Sequence, residues 1–161
     1  DFAQWLSQKT GTTFRRPTEA EWAYSARAGK TTAYAWGTDS NAACQHANIA
    51  DITWRTHTKA ASSELCNDHY AVTAPVAQFQ ANEFGLHDMS GNVSEWTCSV
   101  MPFDNSYSQA NTCGATGLMP LIRGSHFAQW GTQIRLAKRF WSVGNPQQVG
   151  FRLVRVLGSQ P

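Results

Sequence analysis

Apolar residues open the chain at helical spacing: Phe2, Trp5 and Leu6 fall on one face, and the run stops at Gly11. This pattern predicts an amphipathic helix over 2–9, closed by a glycine free to turn left-handed. Phe14 leads into a second helix, where Thr18 and Glu21 form a Thr-x-x-Glu capping box, Trp22, Ala23 and Ala26 make an apolar stripe, and Gly29 supplies the stop. Beyond Lys30 the periodicity is lost. Residues 30–72, rich in Thr, Ser, Asn and Ala, read as long loops with short strands at most. Residues 98–120, with Asn105, Asn111, Gly114 and Gly117, read as a second irregular stretch. Residues 121–123 predict a short strand, 127–130 a loop, and 134–139 a short ordered piece. Weak alternation over 149–157 ends in a strand at 153–156. Short elements separated by irregular chain place the fold in the mixed α+β class, with no internal repeat.

Composition narrows the class further. A chain of 161 residues is one domain's worth, and 42% hydrophobic content with seven Trp is ample for a core. A net charge of +2 with scattered Lys and Arg gives no basic face for nucleic acid or a membrane surface. The sequence contains no apolar run of 18 residues and no visible signal peptide. Because 2–6 reads as a helix already under way, residues 1–161 are expected to be a single domain lacking its N-terminal portion, with any targeting signal in that portion. Four cysteines fall as two neighbouring pairs, Cys44 with Cys66 and Cys98 with Cys113, although three connectivities exist. Neighbour pairing would staple both long loops and suit an exported protein. Four separate buried thiols in a cytoplasmic protein is the alternative.

Candidate chemistry concentrates in two places. In the stretch from Phe84 to Thr97, Asp88 and Glu95 flank the turn Ser90-Gly91-Asn92, and the backbone oxygens of Gly91 and Val93 add to their carboxylates. Hard cations such as calcium take six to eight such oxygens, but the spacing matches no standard calcium loop, and a polar turn whose acids cap amides is the other reading. Asn48, Asp51 and Asp68 are the oxygen-bearing side chains of the first long loop, and on residues alone Asn48 and Asp68 read as turn formers. From His126 to Gln148, the rings Phe127, Trp130, Phe140 and Trp141 interleave with Gln129, Gln133, Ser142, Asn145, Gln147 and Gln148. Large amphipathic rings beside adaptable amides make up a binding surface. Trp130, Phe140 and Trp141 are expected outside, since Phe140 and Trp141, consecutive in an extended segment, cannot both face inward. The five histidines lack metal spacing, and no Gly-x-Ser-x-Gly elbow, P-loop or dinucleotide fingerprint occurs.

Phe84-Gly85-Leu86-His87-Asp88-Met89-Ser90-Gly91-Asn92-Val93-Ser94-Glu95-Trp96-Thr97 resembles the signature of the formylglycine-generating enzyme (sulfatase-modifying factor) family. Phe14-Arg15-Arg16-Pro17-Thr18-Glu19-Ala20-Glu21-Trp22, Thr73-Ala74-Pro75-Val76 and Gly150-Phe151-Arg152-Leu153 extend the likeness over nearly the whole chain. The resemblance implies a C-type-lectin-like α+β fold, two helices with a small twisted antiparallel sheet and much irregular loop. It implies structural calcium at two sites. One comprises the Asn48 and Asp68 side chains with the carbonyls of Ile49 and Tyr70; the other comprises Asp88 and Glu95 with the carbonyls of Gly91 and Val93. It also implies that Phe127 fills a buried aromatic position in the core, and that Arg135, Arg139 and Arg152 brace loops by bonding carbonyls.

Enzymatic members of that family hold copper on a cysteine pair after an Arg-Gly-Gly-Ser motif, a soft metal on soft ligands. Here the segment reads Arg123-Gly124-Ser125-His126-Phe127-Ala128-Gln129-Trp130-Gly131, and no cysteine follows Cys113. No catalytic residue is therefore assigned and no copper is expected. The C-terminal pattern resembles a non-enzymatic branch, the variable proteins of diversity-generating retroelements, which carry a hypervariable surface near the C-terminus. In that likeness, 134–139 and 149–154 are constant framework. The expected function is a ligand-binding module without enzymatic activity. Its face comprises His126, Ala128, Gln129, Trp130, Gln133, Lys138, Phe140, Trp141, Ser142, Val143, Asn145, Gln147 and Gln148. Its expected partner is a protein or cell-surface ligand, with no nucleic acid and no membrane insertion. The location is exported or at a bacterial cell surface if the disulfides form, cytoplasmic otherwise. Two other readings stand beside it: an accessory or sensor domain of a larger protein such as a kinase, and an oxidase with displaced catalytic groups.

Overall fold

The computed structural model describes residues 1–101, 113, 119–140 and 148–157. Helix α1 (Phe2–Thr10) starts where Asp1 accepts from the Gln4 amide and ends at Gly11, in the left-handed region with φ 67°. Its apolar face is not buried as the pattern suggests. Phe2 and Trp5 are more than half exposed, touching each other and, through Phe2, Phe151. The lead-in to the second helix is a strand, β1 (Phe14–Arg15), antiparallel to β5 (Val154–Arg155). Both arms of the Thr18–Glu21 capping box are present at the start of α2 (Glu19–Arg27), which closes on Ala28 and Gly29. Trp22 and Ala26 face the core; Ala23 is half-buried.

Residues 30–72 hold more helix than expected: a 3-10 turn (Ser40–Ala42), α3 (Ala43–His46) and α4 (Ile52–Thr58). Capping rather than periodicity starts the 3-10 turn and α4. Asp39 accepts from the Asn41 amide and Asp51 from the Trp54 amide, and α4 buries no residue, so no apolar stripe announces it. The Cys44–Cys66 disulfide closes this region.

Strand β2 (Ser94–Met101) is the centre of a three-stranded sheet, antiparallel to β3 (Met119–Arg123) and parallel to β4 (Val149–Gly150). Residues 98–101, expected to be irregular, are therefore strand. Their inward positions are polar, so the usual alternation is missing. Thr97 donates to the Leu121 carbonyl, Ser99 accepts from the Glu19 amide, and Glu95 meets Trp22, all buried. Cys98 pairs with Cys113, as neighbour pairing predicted. Asn105, Asn111, Gly114 and Gly117 lie outside the described residues.

Two apolar clusters form the interior: Tyr34, Ala43, Cys44, Ala47, Ile49 and Ile134 in one, and Trp22, Ala26, Met89 and Leu136 in the other. A charged knot joins the second cluster to the sheet. Trp22 donates its indole N–H to Glu95 at 2.6 Å, and the Arg123 guanidinium lies 4.8 Å from the Trp22 ring centre. Arg123, almost fully buried, pairs with Glu19 at 3.1 Å and donates to the Leu136 carbonyl. Burial pulls its pKa down to about 10 against the pull of Glu19. Of the three expected loop braces, Arg152 bonds the carbonyls of His87 and Asp88 as well as the Glu95 carboxylate. Arg139 pairs with Glu19, and Arg135 is exposed.

Candidate functional site

The chain from Ala47 to Asp51 leaves α3 fully buried, between the first apolar cluster and the turn at 90–92. Asp68 faces this segment. Its carboxylate accepts from the Ile49 amide at 2.7 Å and from the Tyr70 amide at 2.8 Å, and its own amide donates to Asp51 at 2.7 Å. Asn48 donates its side-chain amide to the Val72 carbonyl and to Asn92, leaving its buried Oδ1 without a partner. Oxygens of Asp51 and Asp68 lie within 4.8 Å of each other and of the Cys44 sulfur, which the disulfide removes as a ligand. Burial, with Asp51 adjacent, pushes the Asp68 carboxyl up to about 7. A buried carboxylate near a second acid, and a buried, unpartnered amide oxygen at Asn48, are donors of the kind a hard divalent cation takes. Ile49 and Tyr70 bond the Asp68 carboxylate through their amides, and the Ile49 carbonyl accepts from the Asp51 amide.

The second expected set is assembled differently. Both Glu95 oxygens are engaged, one by the indole of Trp22 and the guanidinium of Arg152, the other by Arg152 again. Asp88, at φ 57°, accepts from the Ala77 amide and keeps a buried, unpartnered Oδ1. A resident guanidinium already neutralises Glu95, and Asp88 keeps the one unpartnered carboxylate oxygen of this set. The turn between them is also a joint. Gly91 has φ 76°, and a Cβ there would lie 2.3 Å from the Asn48 carbonyl oxygen, so no larger residue allows this approach. Asn92 binds Asn48 through its amide (2.9 Å), and its buried side chain holds both the N–H and the carbonyl of Ala74.

From this joint the main chain of the C-terminal segment is pinned. Gly124 accepts from Gly91, Phe127 donates to Asn92, Gln129 accepts from Ala50, and Gly131 donates to Glu64, at 2.8–3.0 Å. A 3-10 turn (Gly131–Gln133) follows, where Ser125 donates to the Gln133 carbonyl. Side chains on this pinned backbone reach outward to different degrees. Trp130 is 39% exposed, and Gln133 and Lys138 are exposed. His126, Ala128, Gln129 and Gln148 are half-buried, and so is Phe127, expected in the core. Phe140, expected outside, is also half-buried, because its backbone exchanges two hydrogen bonds with Ile122 and extends the sheet. The Lys138 ammonium lies 5.6 Å from the Phe140 ring centre. His126 accepts from the Ala128 amide, and burial lowers its pKa. Trp141, Ser142, Val143, Asn145 and Gln147 lie outside the described residues.

All four cysteines are in disulfides, so the chain has no free thiol. Among the described residues, no helix is long and apolar enough to cross a membrane. Sequence reasoning missed Glu64 and Asn92, which do the pinning. The Gly91-Asn92 turn was visible as a turn, whereas nothing local marks Glu64.

The model of the sulfatase-modifying factor enzyme 1-like domain matches residues 1–157. The formylglycine-generating enzyme of Mycobacterium tuberculosis is 38% identical over 96 residues, 60% of this chain and 28% of that protein. The structure of PvdO from Pseudomonas aeruginosa superposes with a TM-score of 0.76 at 30% identity, over 97% of this chain and 57% of that one. Treponema denticola variable protein 1 superposes with a TM-score of 0.67 at 23% identity, over 88% of this chain and 47% of that one, a likeness of fold. The matches span less than two thirds of the length of each of these proteins.

Proposed function

The chain belongs to the sulfatase-modifying factor family, and on that premise we propose that it is a non-enzymatic module that presents a recognition face between β3 and β4. The observation that carries this reading is a main chain fixed from Gly124 to Gln133 by bonds to Ala50, Glu64, Gly91, Asn92 and Ser125, beneath the exposed side chains of Trp130 and Gln133. Backbone-held loops with free side chains favour recognition by complementarity. Trp130 supplies apolar contact, Gln133 directional bonds and Lys138 charge; the ligand is a protein or a cell-surface molecule. The oxidase reading lacks support, since copper chemistry of the family's kind needs thiolates and every cysteine here is paired. Calcium at Asn48, Ile49, Asp68 and Tyr70 braces the loop behind the face. Two disulfides suit an oxidising location, outside the cell or at its surface.

The lectin-like fold shared with a variable protein suits a diversified face. Genomic DNA near the gene then holds a near-copy of the Arg123 to Arg152 coding region differing at adenines; lack of such a copy defeats diversification. The non-enzymatic reading is tested by incubating the oxidised protein with Cu(I) and a cysteine peptide that formylglycine-generating enzymes convert. No tight copper binding and no aldehyde are expected; turnover would overturn the reading.

A further inference from the structure

One tripeptide serves both the first oxygen set and the face. Asn48 carries the orphaned oxygen, and its carbonyl accepts from Asn92, whose own carbonyl accepts from the Phe127 amide. Ile49 is bonded through its amide to Asp68. Ala50 donates to the Gln129 carbonyl at 3.0 Å and accepts from the Glu64 amide at 2.8 Å, and the Glu64 carboxylate receives the Gly131 amide at 2.8 Å. Gly131 is buried against this support, where a Cβ would lie 3.2 Å from the Glu64 carboxylate and 3.4 Å from the Ser40 carbonyl. Phe127, Gln129 and Gly131, which flank Trp130 on both sides, are thus tied within one or two residues to the strand of chain that offers oxygens to a cation.

We propose that cation binding at Asn48 and Asp68 sets the presentation of Trp130, with Glu64 as the positioning residue that carries the order across to the face. This rests on the face reading above. Without a cation, buried oxygens of Asp68 and Asp51 lie within 4.8 Å of each other with no cation between them, a like-charge crowding that favours local opening of the closed segment. Opening of 48–50 removes the donor of the Gln129 bond and releases Asn92 and Glu64, which are bonded to Asn48 and Ala50 and in turn hold Phe127 and Gly131. A divalent cation bound only to the closed form shifts that equilibrium by mass action. By linkage, whatever binds the face then tightens the cation by the same factor.

The test follows amide hydrogen exchange of the full chain in calcium and in excess chelator, a measurement that needs no face ligand. Chelation is expected to speed exchange at Phe127, Ala50 and Gly131 by about tenfold or more, while Trp96 and Ile122, in the sheet, change less than about twofold. Glu64→Ala is expected to release Gly131 even in calcium, whereas Glu64→Gln, which keeps an acceptor oxygen, holds it; calcium still saturates both by calorimetry. Asp68→Asn is expected to abolish the calcium-dependent difference. The proposal is overturned if calcium fails to bind, if face and sheet amides respond alike, or if Glu64→Ala and Glu64→Gln behave the same. A face that proves to bind nothing would sink the recognition reading while leaving these exchange results intact, so the two failures are distinguishable.

Discussion

Around Trp22 the chain is held by side chains: Glu19 and Glu95 take the guanidinium groups of Arg123, Arg139 and Arg152, and the indole joins both sets. Around Trp130 it is held by the main chain, with Glu64 and Ser125 as the bonded side chains and the Trp130 ring exposed. The two tryptophans therefore answer to different constraints. Trp22 has a buried charge on its face and a carboxylate on its nitrogen, so its identity is fixed by its partners. Trp130 is 39% exposed, and on the proposed reading its side chain can change while the backbone stays. A framework that spends sequence on charges in one place leaves sequence free in another.

The contrast yields graded predictions. Arg123→Ala leaves Glu19 short of one buried partner and is expected to cost about 3–5 kcal/mol in unfolding free energy, read by denaturant titration. Gly91→Ala forces a Cβ onto the Asn48 carbonyl at a positive φ, and a loss of roughly 2–4 kcal/mol is expected from the same titration. Calcium at about 100 times its Kd is expected to add about 2.7 kcal/mol near neutral pH, seen as a rise in Tm. The sign of the pH dependence follows from Asp68, whose folded pKa of about 7 stands above its ordinary 3.8. In chelator, the proton bound to the folded form stabilises it fully below the ordinary value, and that stability is lost as pH rises toward 7. Calcium requires the ionised carboxylate, so its stabilising effect should be larger at pH 7.5 than at 5.5. A calcium effect independent of pH would remove Asp68 from the site. Trp130→Ala is expected to change stability by no more than about 0.5 kcal/mol.

Some of this was legible in the residues. The capping box of Thr18 and Glu21 and the stop at Gly11 each depend on neighbours within a few positions, so α1 and α2 could be read directly. Cysteine neighbour pairing was legible for the same reason, because both loops needed closure. Strand β2 escaped because its inward residues, Glu95, Thr97 and Ser99, are polar, their partners being supplied by residues far away in sequence. Helix α4 escaped because Asp51, taken only as a source of oxygen, is its N-cap. The burial of Phe140 was illegible too, since it follows from pairing with Ile122 rather than from its own neighbours. In the face, composition singled out Trp130 and Gln133, but the pinning by Glu64 spans 67 positions and leaves no local trace.

The most direct test is the unfolding free energy, in calcium, of a triple variant of the face, Trp130→Ala, Gln133→Ala and Lys138→Ala. If the framework alone holds the segment, the loss stays within about 1.5 kcal/mol, the sum expected of three surface changes, and the exchange protection of Phe127 and Gly131 is retained. A loss beyond about 3 kcal/mol, or unprotected amides at those two positions, would show that the side chains hold the loop and contradict the account.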